Sequence, residues 1–164
     1  MRQTSLKKIS IAFITSALAL TLTSCAGAGP DAATRLIKRV TDGAEVTLKD
    51  NGANLSVSNL LLVATEDGSA VVVGTFVNYA EEKDSLIGLS VNGVPAVITG
   101  ATDLKLNQPL RFEGDSATSK GVFSGVGAVP GVNVPLTLTF DRAGEVTTNV
   151  IIRDQRDDYK NVTK

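Results

Sequence analysis

The sequence has no histidine and no tryptophan, one cysteine and one methionine, and aromatic residues are only 4% of its 164 positions. Each absence closes a branch of chemistry. Without histidine there is no Ser-His-Asp or Cys-His arrangement and no imidazole ligand for a metal. The lone cysteine, Cys25, has no second cysteine to pair with, so no disulfide can staple a domain. The methionine is Met1. Soft-metal and tetrahedral zinc sites therefore lack their usual sulfur and nitrogen donors, and only oxygen ligands and lysine remain. A phosphate loop is missing too, because Gly125-Val126-Gly127 is not followed by a helix whose N-terminus would hold the anion.

The most specific stretch present is the first 25 residues. Arg2, Lys7 and Lys8 precede an uncharged, mostly apolar run from Ile9 to Leu22, and Leu22-Thr23-Ser24-Cys25 closes it. A basic start, a short apolar run and small residues at the cut are the order of a secretory signal peptide. The run is too short for a stable span, which needs roughly 20 apolar residues. The Leu-Thr-Ser-Cys end resembles the lipobox of bacterial lipoproteins, whose cysteine thiol is diacylated and becomes the new N-terminus. The resemblance implies a leader over 1–24, lipidation at Cys25 and a place on the extracytoplasmic side of the cell membrane. Two acyl chains anchor stably where one is marginal, since each buried methylene contributes about 0.8 kcal/mol.

Removing the leader leaves a chain long enough for one domain with its own core. Three of the 16 Lys+Arg leave with it, while all 17 Asp+Glu stay, so the mature net charge is near −4. That sign argues against nucleic acid as a partner. Residues 25–33 read as the lipidated cysteine and a flexible tether, whose eight residues after Cys25 span roughly 15–17 Å. The segment Thr34–Gly43 fits either a helical turn or an irregular edge.

From Glu45 onward the pattern is β. Leu55, Val57, Leu61 and Val63 share one parity and Leu60 and Leu62 the other, which predicts a strand covered on both faces. Glu66-Asp67-Gly68-Ser69 is a turn, and Ala70–Asn78 is the returning strand. Ser85–Val91 and Val94–Thr99 flank Asn92-Gly93, a strong hairpin signal because both residues accept positive φ. Over 100–131 the pattern weakens to short strands, with polar Glu113–Lys120 as a loop. The clearest alternation is the last: it predicts Leu136, Leu138, Phe140, Val150 and Ile152 buried and Thr137, Thr139 and Asn149 facing solvent. Residues 154–164 read as a charged, disordered tail. About seven to nine short strands and no long helix make the domain, residues 34–153, all-β: an immunoglobulin- or cupredoxin-like β-sandwich.

TRLIKRVTDG, LLLVATEDGSAVVVGTFVN, LRFEGDSA and the final hairpin around FDRAGEVT resemble exported lipoproteins of actinobacteria that are similar to the periplasmic copper-chaperone family, PCuAC. The resemblance implies a cupredoxin-like sandwich over residues 34–153. That family's copper site is built from His and Met, and the mature chain has neither, so no ligand position is transferred. Asp154, Asp157 and Asp158 with Glu145 do not match a calcium loop, and Arg153 and Arg156 compete with any cation there. Ser116, Ser119 and Lys120 suggest a Ser–Lys nucleophile pair, but adjacent residues on an extended chain point apart, which argues against it.

With no catalytic, cofactor or metal site in view, the loops at the sandwich ends are the expected functional surface. Candidate residues are Tyr79, Glu113, Asp115, Ser116 and Lys120. The expected role is a non-catalytic binding or structural module of the cell envelope, with an envelope protein or cell-wall polymer as partner. The alternative is a copper-trafficking relative of the PCuAC chaperones.

Overall fold

In a computed structural model, residues 41–50 and 52–164 are described. The leader, Cys25, the tether and Thr34–Val40 lie outside the described residues.

The described residues form an all-β sandwich. Its strands are β1 (Ala44–Leu48), β2 (Leu55–Ala64), β3 (Ala70–Asn78), β4 (Asp84–Val91), β5 (Val94–Pro95), β6 (Val97–Gly100), β7 (Asp103–Leu104), β8 (Leu110–Phe112), β9 (Ser119–Phe123), β10 (Asn133–Phe140) and β11 (Gly144–Arg153). The count exceeds the seven to nine expected because the 94–112 stretch is broken into pieces of two to four residues. One face is the β5-β4-β10-β11 sheet. The other carries β1 on β2, then β3, with β8 and β9 beside it and β6 at the edge. The end of β11 runs parallel to β2, at Ile152–Leu62 and Arg153–Val63, and so joins the two faces.

The core forms where the inner faces meet. Phe76 is at its centre, with its ring centroid 5.3 Å from that of Phe112 and 6.4 Å from that of Phe140, both pairs tilted. Such tilted geometry suits the ring quadrupoles. Leu136, Leu138, Phe140, Val150 and Ile152 are buried as their alternation predicts, and Asn149 is exposed. Thr137 and Thr139 are half-buried, since each has a neighbour on both sides: Thr137 Oγ1 lies 2.8 Å from Thr147 Oγ1 across the pair. Asn92 and Gly93 both take positive φ, 50° and 81°, as a tight β4–β5 hairpin requires.

Parity along β2 differs from the sequence expectation. Leu55 and Val57 share the inner core with Leu60 and Leu62, while Leu61 and Val63 face outward. The cause is a β-bulge between Ser58 and Leu61, where Asn59 adopts φ 51° and the extra residue reverses the side-chain alternation. Gly43 seats the bulge. Its N–H donates to Asn59 Oδ1 at 3.2 Å, and a Cβ on Gly43 would lie 2.2 Å from the Asn59 carbonyl carbon. No other residue fits there.

The tail is a second correction. Residues 154–164, expected to be disordered, fold over the outer face. Asp157–Tyr159 makes a 3-10 turn, and Val162 is buried against Leu61, Val63 and Val71, with Tyr159 packed alongside. Gln155 Nε2 donates to the Val162 carbonyl at 2.6 Å, Lys120 Nζ to that of Thr163 at 2.7 Å, and Lys164 pairs with Asp67. The physical reason is the outward row of β2 and β3: four apolar side chains facing water favour a cover, and Tyr159 and Val162 supply it.

Candidate functional site

Glu113 follows β8 with φ 63°, and Gly114 with φ 101°. These two left-handed residues swing the loop off the sheet and over its outer face. Opposite stands the C-terminal turn. Between them opens a cleft of about 480 Å³, lined by Val73, Glu113, Gly114, Asp115, Asp158, Tyr159, Asn161 and Val162. Its floor is the apolar pair Val73 and Val162, and its rim carries three carboxylates.

The Glu113 side chain is only 12% exposed, and Lys120 Nζ sits 3.5 Å from its Oε1. That oxygen is buried and accepts no hydrogen bond, so the ion pair is its sole polar compensation. Desolvation pushes the Tyr159 phenol above its ordinary value, and the Asp42 carboxylate adds to it. The phenol therefore stays neutral and can donate a hydrogen bond at physiological pH. At the edge of the turn, a hydrogen bond from Arg156 to Asp154, 2.6 Å from Nε to Oδ2, holds the Asp154 carboxyl below the usual carboxylate range. The Lys164 ammonium, with Thr65, does the same more strongly for Asp67. That lysine clasp therefore persists above the ordinary carboxylate range and loosens only as pH falls well below it.

The residues singled out from sequence divide. Glu113 and Asp115 line the cleft. Ser116 is on the same loop, exposed and outside the lining. Lys120 is not in a loop: it is in β9, opposite Thr99 of β6, and its ammonium is directed to Thr163 and Glu113. The structure does not bring Tyr79 to this site. Glu113 lies beside the middle of β3, where Phe112 pairs with Gly74, whereas Tyr79 follows the end of β3 and donates its N–H to the Asn54 carbonyl at 2.8 Å. The sequence pattern set Asp158 aside as part of a charged tail and did not mark Tyr159, Asn161 or Val162. The available signal was two apolar residues three apart in an otherwise polar tail.

The acidic stretch before β4 also proves structural at its last residue. Asp84 is buried, 4% exposed, and accepts from the N–H groups of Ser85 (2.7 Å), Arg142 (2.9 Å) and Ala143 (3.0 Å). It ties the β10–β11 turn to β4. Nearby, Asn78 donates through Nδ2 to the carbonyls of Glu82 and Leu104 and accepts from Ala80 N–H.

Among the described residues, no three of His, Cys, Asp and Glu come together as a metal-binding group. Of the three carboxylates at the cleft, that of Glu113 is turned inward to Lys120.

No known protein-family profile matches the sequence, and no curated protein matches it. Solved structures do. The chain is similar to the apo PCuAC domain from PmoF1, at 22% identity and a TM-score of 0.56 over 68% of this chain and 99% of that one. It is similar to the copper-bound PCuAC domain from PmoF2, at 19% identity and 0.57 over 68% and 98%, and to the apo PmoF2 PCuAC domain, at 18% and 0.57 over 70% and 98%. The fold is that of a PCuAC domain: the cupredoxin-like sandwich that the sequence resemblance implies.

Proposed function

We propose that this chain is a lipid-anchored, extracytoplasmic module of the cell envelope, built on the PCuAC fold, that serves copper trafficking by binding a partner. The observation that carries the trafficking part is the fold likeness, which extends over nearly the whole of each PCuAC domain, one of them copper-bound. Donor chemistry supports the rest. Cu(I) is held by thiolate, thioether and imidazole, and carboxylates hold it poorly. This chain has no His, and its sulfur atoms are those of Met1 and Cys25. In this reading Met1 leaves with the leader, and Cys25 is a thioether to lipid. The residues present do not fit a Cu(I) site, so the module's part is to hold a protein or cell-wall polymer at the membrane. It is not a catalyst in this reading: among the described residues the hydroxyls of Thr65 and Ser69 do meet a carboxylate, Asp67, but that carboxylate is already paired with Lys164.

A second reading, an envelope module unconnected with copper, draws on the same missing donors. A gene-deletion strain separates the two. The expected result is reduced copper loading of an exported copper enzyme, restored by the wild-type chain and not by Cys25→Ala. Unchanged loading in the deletion strain would remove the trafficking part and leave the second reading.

A further inference from the structure

The connection from β9 to β10, Ser124–Val132 (SGVGAVPGV), carries no charge, and two of its valines face water: Val129 is 57% and Val132 45% exposed. The loop is fixed at its base. Ala128 N–H donates to the Gly68 carbonyl at 3.1 Å, Gly131 N–H to that of Ile152 at 2.8 Å, and Ile152 N–H to that of Val132 at 2.9 Å. Beneath it lies an apolar recess of about 180 Å³, floored by Leu62, Val91 and Ile152 and bordered by Asn92 of the neighbouring hairpin turn. Just past that turn Val94 is exposed as well. This end of the sandwich shows solvent valines, glycines and a proline, bordered by Glu66 and the Asp67–Lys164 pair in the adjoining turn, where the opposite end shows Glu81, Glu82 and Lys83.

The chain also enters the domain here. β1 runs antiparallel to β2 with Ala44 opposite Leu60, so the residues before Ala44 head toward the turn whose Gly68 holds Ala128. Asp42 pairs with Arg153 at 3.3 Å, one residue from the Ile152 that binds Gly131 and Val132. About fifteen residues separate Cys25 from Thr41, and a coil of that length spans only roughly 20–23 Å.

We infer that the ligand of this loop is the lipid surface itself: with Cys25 acylated, this end of the sandwich lies on the bilayer and Val129 and Val132 enter its interface. The inference rests on the lipid-anchor reading above and adds the orientation of the domain and the residues that set it. Two valines bind a bilayer weakly alone, but the anchor makes their insertion intramolecular, at a high effective concentration. The charges along the Pro130–Gly131 side are balanced, Arg153 and Arg156 against Asp154 and Asp157. The seat is therefore apolar in origin, and anionic lipid does not strengthen it.

The test uses the full-length lipidated protein in phosphatidylcholine vesicles, carrying one environment-sensitive fluorophore on Val129→Cys or, at the opposite end, on Glu81→Cys. Acylation of Cys25 leaves the new thiol as the single labelling site. The expected result is a blue-shifted label at 129 that nitroxide lipids quench severalfold more than the label at 81, unchanged when a third of the lipid is anionic. Equal, weak quenching at both positions in protein that floats with the vesicles would overturn the orientation and leave the anchor standing. Protein that fails to float would take away both.

Discussion

Phe76→Ala is expected to cost about 3–5 kcal/mol, the range for truncating a buried phenylalanine. The ring is nearly inaccessible and touches Phe112 from one face of the sandwich and Phe140 from the other. Its loss therefore opens a cavity that no single side chain can close, and both tilted ring pairs disappear with it. Domains of this size have total stabilities of about 5–15 kcal/mol, so at the lower end of that range the variant sits near its unfolding midpoint without denaturant. Urea unfolding of the wild type, Phe76→Ala and Thr139→Ala gives the comparison. Thr139 is on the outer face of β10, and its truncation is expected to stay within about 1 kcal/mol of the wild type. Equal losses at the two positions would mean that the core is not centred on Phe76.

Asp84→Ala is expected to be the costliest change of a charged residue, about 2–4 kcal/mol. Three N–H donors converge on this carboxylate, and hydrogen bonds to a charged group are worth about 1.5–3 kcal/mol each. The net loss is well below their sum, because water reaches the freed N–H groups of exposed Arg142 and half-buried Ala143 and the Ser85 bond joins sequence neighbours. Asp84→Asn is expected to lose less, since Oδ1 serves Ser85 and Arg142 while only Oδ2 serves Ala143. The same urea series checks the order Ala below Asn below wild type. Glu81→Ala, on the exposed part of the same acidic stretch, should stay within about 0.5 kcal/mol of the wild type. An Asp84→Ala variant as stable as Glu81→Ala would contradict the assignment of Asp84 as the tie between β4 and the β10–β11 turn.

Those two residues show what was legible in the sequence and what was not. Strict alternation over 134–140 reports a strand with one buried face, and the burial of Leu136, Leu138 and Phe140 follows from it directly. Asn92-Gly93 names its own turn. A bulge leaves no such mark: Asn59 reads as one more polar residue in β2, and its effect on parity depends on Gly43 approaching from another strand. Asp84 stands in the charged run Glu81-Glu82-Lys83-Asp84, where nothing sets it apart, because its partners Arg142 and Ala143 are far away in sequence. The tail reads as disordered because its composition is polar, and its seat exists only where β2 and β3 leave an apolar outer row uncovered. Half of the cleft was therefore visible as Glu113 and Asp115. The other half, Asp158 through Val162, depended on tertiary packing.

Copper affinity is the deciding measurement for the proposal that this PCuAC-fold domain works without carrying Cu(I). The mature domain is titrated with Cu(I) under reducing conditions in competition with a chromophoric chelator. Carboxylates are its only anionic donors once Cys25 is acylated, and these compete poorly for a soft ion. The chelator is expected to keep its copper, with no change in its absorbance as protein is added. Stoichiometric withdrawal of Cu(I) by the protein would contradict the proposal and return the domain to the carriers of the ion.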